Sequence, residues 1–291
     1  MLLHFADANG DFDSSFFVIF GVPFDGTSSF RHGSKFAPDE IRKASYNLES
    51  YMLEHGISIP DLPVHDMGNI GTLDEFGSVE EVIETVHSTM DYILPEKFPI
   101  MLGGEHSITI GAAEALKKIG DVGIIFIDAH GDFRDEYLGN RYSHACTAKR
   151  AYEILNKKVI SIGVRSASRE EVVDAKKLGY AWIDAYEFHK IGWKMAIEKA
   201  LKIMNVEQIY LSIDIDGIDP AYAPGTGTPE FFGLTPLDVK NIIDFLGPKL
   251  IGADITEVCP VYDNGNTAVL ASRLVQEIIA AKAKTWKDKF K

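Results

Sequence analysis

The sequence predicts a three-layer αβα sandwich built on a mainly parallel sheet, and three observations predict it. Short apolar runs of strand length, such as Val122 to Ile127, lack the polar alternation of a strand wetted on one face, which marks strands buried on both sides. These runs alternate with helix-length stretches, the order that gives a parallel sheet covered by helices. Finally, Gly104-Glu105-His106, Asp128-Ala129-His130-Gly131-Asp132 and Asp214-Ile215-Asp216 each stand just past the end of an apolar run. The carboxyl ends of strands are where such sheets build ligand sites.

The elements follow in order. Phe16-Phe17-Val18-Ile19-Phe20 combines aromatic and β-branched residues and runs into Gly21-Val22-Pro23, so it reads as the first buried strand. A glycine-containing loop leads to a helix near Pro38, where proline suits the first turn and Asp39 and Glu40 complement the positive end of the dipole. Ser78-Val79-Glu80-Glu81 has capping-box spacing for a helix reaching about Tyr92. Strands near 98–102, 122–128, 158–164, 180–184, 209–215 and 250–256 then alternate with helices near 107–118, 145–155, 169–178, 193–204, 236–246 and 267–285. Ser168-Arg169-Glu170-Glu171 and Thr235-Pro236 mark two of the helix starts. No Ser/Pro/Gly linker or composition shift divides the chain, so residues 1–291 read as one catalytic domain. Lys282 to Lys291 reads as a solvated helix end.

Bulk composition excludes several functions. A formal charge of −14 disfavours a nucleic-acid partner and is compatible with a cationic small molecule. Cys146 and Cys259 are the only cysteines, too few for a disulfide framework. No apolar stretch of about 18 residues is present to span a membrane. The segment Met1-Leu2-Leu3-His4-Phe5 has neither the basic region nor the apolar core of a secretory signal, so a cytoplasmic protein is expected.

The strand-end clusters carry the chemistry. Asp128, His130 and Asp132 are spaced i, i+2, i+4, so on extended backbone they point to one side, and Asp214 and Asp216 do the same. With His106 the set offers two imidazoles and several carboxylates but no thiolate, an environment suited to Mn²⁺ better than to structural zinc or Mg²⁺. Two Mn²⁺ per chain are therefore expected. Two divalent ions cancel the charge of Asp128, Asp132, Asp214 and Asp216, and a hydroxide between them leaves the site slightly negative, which welcomes a cation. An aspartate after a strand is often only a turn residue, yet six donors in three such clusters argue for a site. Glu105 reads equally as a partner to this set and as a surface carboxylate. His144 alone reads as a structural histidine at a helix start.

Gly103-Gly104-Glu105-His106-Ser107, Asp128-Ala129-His130-Gly131-Asp132, Ser212-Ile213-Asp214-Ile215-Asp216-Gly217-Ile218-Asp219-Pro220 and Ala223-Pro224-Gly225-Thr226-Gly227-Thr228-Pro229 resemble the signatures of the ureohydrolases, the arginase and agmatinase family. The resemblance covers nearly the whole chain, from Gly21-Val22-Pro23-Phe24-Asp25 to the helix after Asp254-Ile255-Thr256-Glu257-Val258. It implies an arginase-like fold and a binuclear manganese centre whose hydroxide converts a guanidino group to urea and an amine. It further implies that His106, Asp128, Asp132 and Asp214 hold one ion and Asp128, His130, Asp214 and Asp216 the other, with Asp132 also orienting the hydroxide. Glu257 matches the glutamate that pairs with the guanidinium, and His144 the loop histidine that passes a proton to the leaving amine. A homotrimer or homohexamer is implied as well.

The substrate is read from the loop before His144. Arg134 and Tyr142 occupy the positions where arginases resemble one another in carrying asparagines that hold an α-carboxylate. The stretch from Arg134 through Ala145 looks instead like the archaeal-type agmatinases, which implies hydrolysis of agmatine to putrescine and urea. Asp135 and Glu136 are then expected to receive the distal ammonium, which Arg134 repels unless it is paired. An unpaired Arg134 favours the alternative, an arginase or another guanidino-acid hydrolase such as a guanidinobutyrase.

Overall fold

The computed structural model describes residues 3–72 and 76–287. Among them the elements run β1 (Phe17–Gly21), α1 (Ala37–Ser45), β2 (Tyr51–Met52), β3 (Ile57–Ser58), β4 (Val64–Asn69), α2 (Val79–Ile93), β5 (Phe98–Leu102), α3 (Thr109–Leu116), β6 (Val122–Ile127), α4 (Thr147–Ile154), β7 (Val159–Val164), α5 (Arg169–Leu178), β8 (Trp182–Asp184), α6 (Ala185–Met204), β9 (Gln208–Asp214), α7 (Pro236–Leu246), β10 (Leu250–Thr256) and α8 (Asn266–Lys287). Eight of the described strands form one sheet in the order β4-β1-β5-β10-β9-β6-β7-β8, and β2 pairs with β3 in a small hairpin. The pairings within the large sheet are parallel.

Burial on both faces explains why the strands read as unbroken apolar runs. Successive residues face opposite layers. Val18, Phe20, Met101, Ile124 and Phe126 pack with residues of α2, α3 and α4, whereas Phe17, Ile19, Ile100, Ile125 and Ile127 pack with residues of α1, α6, α7 and α8. The helix starts carry the expected chemistry: Ser168 and Thr235 form capping boxes with Glu171 and Asp238, and Pro38 lies in the first turn of α1. No helix among the described residues is long and apolar enough to cross a membrane.

Three features depart from the sequence expectations. The edge strand β4 and the β2–β3 hairpin were not anticipated. The β4 sequence, Val-His-Asp-Met-Gly-Asn, buries a carboxylate, Asp66, which meets the fully buried Arg42 of α1 at 2.8 Å. The helix expected over 193–204 is present and is preceded by a further helical stretch from Ala185, the two joined in α6 across Gly192, whose φ 79°, ψ 160° is non-helical. In the expected solvated tail, α8 continues to Lys287, and residues 288–291 lie outside the described residues, as do Met1 and Leu2 of the N-terminal reading.

The sheet order decides where chemistry can gather. β5, β10, β9 and β6 are adjacent, and the segments leaving their carboxyl ends carry His106, Glu257, Asp214 with Asp216, and Asp128 with His130 and Asp132.

Candidate metal centre and active site

His106 lies in a 3-10 turn just beyond β5. Its Nδ1 stands 3.2 Å from a carboxylate oxygen of each of Asp128, Asp132 and Asp214. Its Nε2 lies 3.0 Å from Ser212 Oγ, and that hydroxyl donates its one proton to Asp254 Oδ1 at 2.6 Å. Ser212 therefore accepts from the ring, the ring proton sits on Nε2, and the neutral ring turns a bare Nδ1 towards three carboxylates. This nitrogen is buried without a hydrogen-bond partner. A nitrogen lone pair facing three anions repels them unless a cation lies between, and ring N and carboxylate O are the donors that Mn²⁺ accepts. The residues fit a divalent ion, and Ser212 and Asp254 fix the ring that serves it.

A second grouping shares Asp128. His130 Nδ1 lies 3.0 Å from Asp216 Oδ2 and 3.8 Å from Asp128 Oδ1. Backbone amides hold the same carboxylates from behind: His130 N donates to Asp128, Ala129 N to Asp216, and Asp216 N to Asp214. The i, i+2, i+4 spacing does not work through a continuous strand, because β6 ends at Ile127 and Asp132 has φ 45°. The loop turns through a left-handed residue to bring Asp132 back to His106. Glu257 is likewise left-handed, at φ 60°, just past β10.

Burial and crowding set the electrostatics of the ion-free side chains. Burial, joined by the neighbouring carboxylates, raises Asp128 and Asp214 and lifts Asp132 to about 7. Burial would raise Asp216 too, but the His130 imidazole beside it carries it below the usual carboxylate range. Burial would lower His106, and the three aspartates facing its Nδ1 instead hold it well above the ordinary histidine value, so that without metal a proton on Nδ1 takes the place of the cation. Such a site resolves its mutual repulsion by taking up protons or metal ions.

A cavity of about 190 Å³ opens onto this cluster, and its walls include His130, Asp132, Asp214, Asp216, His144 and Glu257. Glu257 Oε1 accepts the His106 backbone N–H at 2.8 Å, and burial with the nearby Glu105 charge raises its pKa. His144 is partly buried, and burial lowers its pKa to about 4. Glu105 is fully buried, so the surface reading is excluded. Burial pushes the Cys146 thiol up to about 12, which leaves it no role as a nucleophile.

The far wall differs from the expectation. Asp135 is exposed and engaged by Lys149 at 3.3 Å and Arg150 at 2.9 Å, and neither it nor Glu136 lines the cavity. The strong cations of α4 draw Asp135 away from the substrate side. Arg134 does line the cavity, but its guanidinium lies 3.5 Å from Glu171 and over the Tyr137 ring at 4.9 Å. Glu171 had been legible only as a helix-cap residue.

Another His–Asp–Glu grouping, His55, Asp244 and Glu277, sits in the helical layer. There Lys240 meets Asp244 at 2.5 Å and Arg273 meets Glu277 at 3.3 Å, so side-chain cations already balance those carboxylates.

Residues 15–281 match the model of the Arginase family. The chain is 40% identical over 273 residues to an N(1)-aminopropylagmatine ureohydrolase of Thermococcus kodakarensis, covering 92% of this chain and 91% of that one. It is 35% identical to an agmatinase of Pyrococcus horikoshii, with 94% of each chain covered. Among solved structures, the agmatine ureohydrolase of Thermoplasma volcanium superposes with a TM-score of 0.93 at 45% identity, over 99% of this chain and 97% of that one.

Proposed function

The chain belongs to the arginase family and is a hydrolase acting on guanidino compounds, and on that premise we propose that its substrate is agmatine, cleaved by water to putrescine and urea with two Mn²⁺ per chain. The observation that carries the choice of substrate is the balance of charge on the cavity wall. Asp132, Asp214 and Asp216 on that wall are committed to the ions, Glu257 remains for the guanidinium, and the one Lys or Arg that lines it, Arg134, is paired with Glu171. A wall without an unpaired Lys or Arg disfavours the carboxylate of a guanidino acid and leaves agmatine the better fit.

In this reading His106, Asp128, Asp132 and Asp214 hold one ion and Asp128, His130, Asp214 and Asp216 the other. When bound, the ions supply positive charge against the aspartates and lower the pKa of the attacking water. Glu257 receives the guanidinium in a charge-assisted contact, and the His106 amide that binds one of its oxygens fixes its orientation. Asp132 orients the water by hydrogen bonding. The His144 ring, which burial keeps neutral at ordinary pH, takes up a proton during the reaction and delivers it to the departing amine. Its lowered pKa makes the protonated ring a ready donor. Glu171, not Asp135 or Glu136, is the carboxylate of this part of the chain that lines the cavity, and it is held by Arg134 and the Phe133 and Ser168 amides. The reading takes residues 1–291 as one catalytic domain acting as a homotrimer or homohexamer in the cytoplasm.

The test is urea release from manganese-loaded protein given agmatine, arginine and guanidinobutyrate side by side. Agmatine is expected to dominate by at least about tenfold in kcat/KM, a difference of about 1.4 kcal/mol in transition-state binding. A dominant guanidinobutyrate rate would instead mean that Arg134 leaves Glu171 to clamp a carboxylate. It would overturn the substrate while leaving the hydrolytic centre in place.

A further inference from the structure

We infer that Glu105, Thr27 and His144 form a hydrogen-bonded relay that fixes which ring nitrogen of His144 faces the substrate, so that Thr27 and Glu105 are positioning residues for the hydrolysis. The inference rests on the proton-carrying role given to His144 above.

Glu105 neighbours His106 in sequence but takes no part in the carboxylate cluster. It is fully buried and accepts four hydrogen bonds: from Thr27 N at 2.8 Å, Thr27 Oγ1 at 2.6 Å, Ser107 Oγ at 2.6 Å and Ser28 Oγ at 3.3 Å. All four partners donate, so the group is seated as an acceptor on both oxygens. A buried acid placed so and used only for packing is expensive, because an apolar residue of the same shape avoids the desolvation. What it holds is the loop after β1, through Thr27.

Hydrogen counting carries the argument to the imidazole. Thr27 has one hydroxyl proton and gives it to Glu105. Its oxygen can then only accept, and it does so from the His144 backbone N–H at 2.9 Å. The same oxygen lies 3.3 Å from His144 Nδ1, and the contact is a hydrogen bond only when that nitrogen carries the ring proton. Ser143 Oγ, also 3.3 Å from Nδ1, can accept the same proton. With Nδ1 protonated, Nε2 of the neutral ring is bare. It stands 3.3 Å from Ser29 Oγ, and both residues belong to the cavity wall.

The assignment has a mechanistic consequence. His144 takes at Nε2 the proton that the attacking water gives up and returns it from Nε2 to the amine nitrogen, which keeps the electron pair of the broken C–N bond. Nδ1 stays protonated throughout. While the ring is cationic, its Nδ1–H bond to Thr27 strengthens, because Thr27 is polarised by the Glu105 charge behind it. The arrangement follows the logic of a carboxylate that orients a catalytic imidazole, with a hydroxyl interposed.

The experiment uses the manganese-loaded holoenzyme with agmatine. His144→Ala is measured first and is expected to lower kcat about 10²–10⁴-fold; near-normal turnover would sink the role of His144 and the relay with it. Thr27→Val, which keeps the shape and removes the hydroxyl, is expected to lower kcat about 10–100-fold, part of the general acid–base contribution. Its KM and its two manganese per chain, counted by elemental analysis, should be retained. Thr27→Ser should recover most of the rate. The acid limb of the kcat profile should move in Thr27→Val and return in Thr27→Ser. In a His144→Ala background Thr27→Val should cost nothing further, since the two act as one unit. The relay is overturned, with His144 left in its role, by a Thr27→Val protein of wild-type kcat, by additive costs in the double variant, or by lost manganese explaining the loss of rate. If Thr27→Val does not fold, Glu105→Gln takes its place, with the same split between kcat and KM and the same additivity test deciding.

Discussion

Four aspartates crowd around His106 and His130, and the ionisation of three of them, Asp128, Asp132 and Asp214, works against folding without metal. Asp132 shows the sign. Its pKa rises from 3.8 to about 7 in the folded, ion-free protein, chiefly by burial and then by the Asp128 charge. The cost of keeping it ionised is full above pH 7, declines as the pH falls from 7 towards 3.8, and vanishes below that value. In chelated protein, Asp132→Asn should therefore be more stable than the parent above pH 7, with the advantage gone near pH 4. Urea denaturation midpoints across that range measure it, and a constant difference would contradict the argument. At this scale the candidate ligands were the legible part, because five of the six sit in two motifs, three within Asp128–Asp132 and two within Asp214–Asp216. The partners were not. Ser212 and Asp254 read as ordinary members of β9 and β10 until the strands paired, and Thr27 has no local signal that it meets a carboxylate 78 residues later.

The elements converge through close backbone approaches that only some residues allow. Gly104 is the tightest: a Cβ there would lie 1.9 Å from the carbonyl oxygen of Phe24, which is backbone and cannot rotate away. At this point the loop after β1, carrying Thr27, crosses the end of β5, carrying Glu105 and His106. Gly104→Ala should destabilise by about 1–3 kcal/mol as an overpacked contact. It should also depress activity beyond the stability loss, by separating the two segments. A denaturation midpoint beside kcat/KM on the folded fraction checks both, and an active, equally stable variant would show that the segments need not touch. The central strands were legible because burial on both faces removes polar residues from them. The edge strand β4 was not, since its buried Asp66 is made tolerable by Arg42 from a distant helix. The first stretch of α6, before Gly192, was not legible, because the non-helical Gly192 separates it from the helix that follows.

Across the whole molecule, the centre ties together the four middle strands of the sheet. Ions that bind the folded state and not the unfolded chain stabilise it by mass action, about 2.7 kcal/mol at a hundred times the dissociation constant. Stripping manganese with a chelator should lower Tm by roughly 5 °C or more, and readdition should restore it. An unchanged Tm would show that the ions contribute nothing to holding the strands. The sheet order bears on how the chain reaches this state. His106 and the Glu257 carboxylate that binds its amide are 151 residues apart in sequence, and β9 must insert between β6 and β10 before Asp214 reaches His106. The full ligand set, which runs from His106 to Asp216, therefore comes into being only once strands far apart in sequence share one sheet. Metal cannot template the early collapse as it does in small zinc modules. The apoprotein has to find its topology unaided, slowly for a fold rich in non-local contacts, and manganese supply should alter how long the finished enzyme survives far more than how fast it folds.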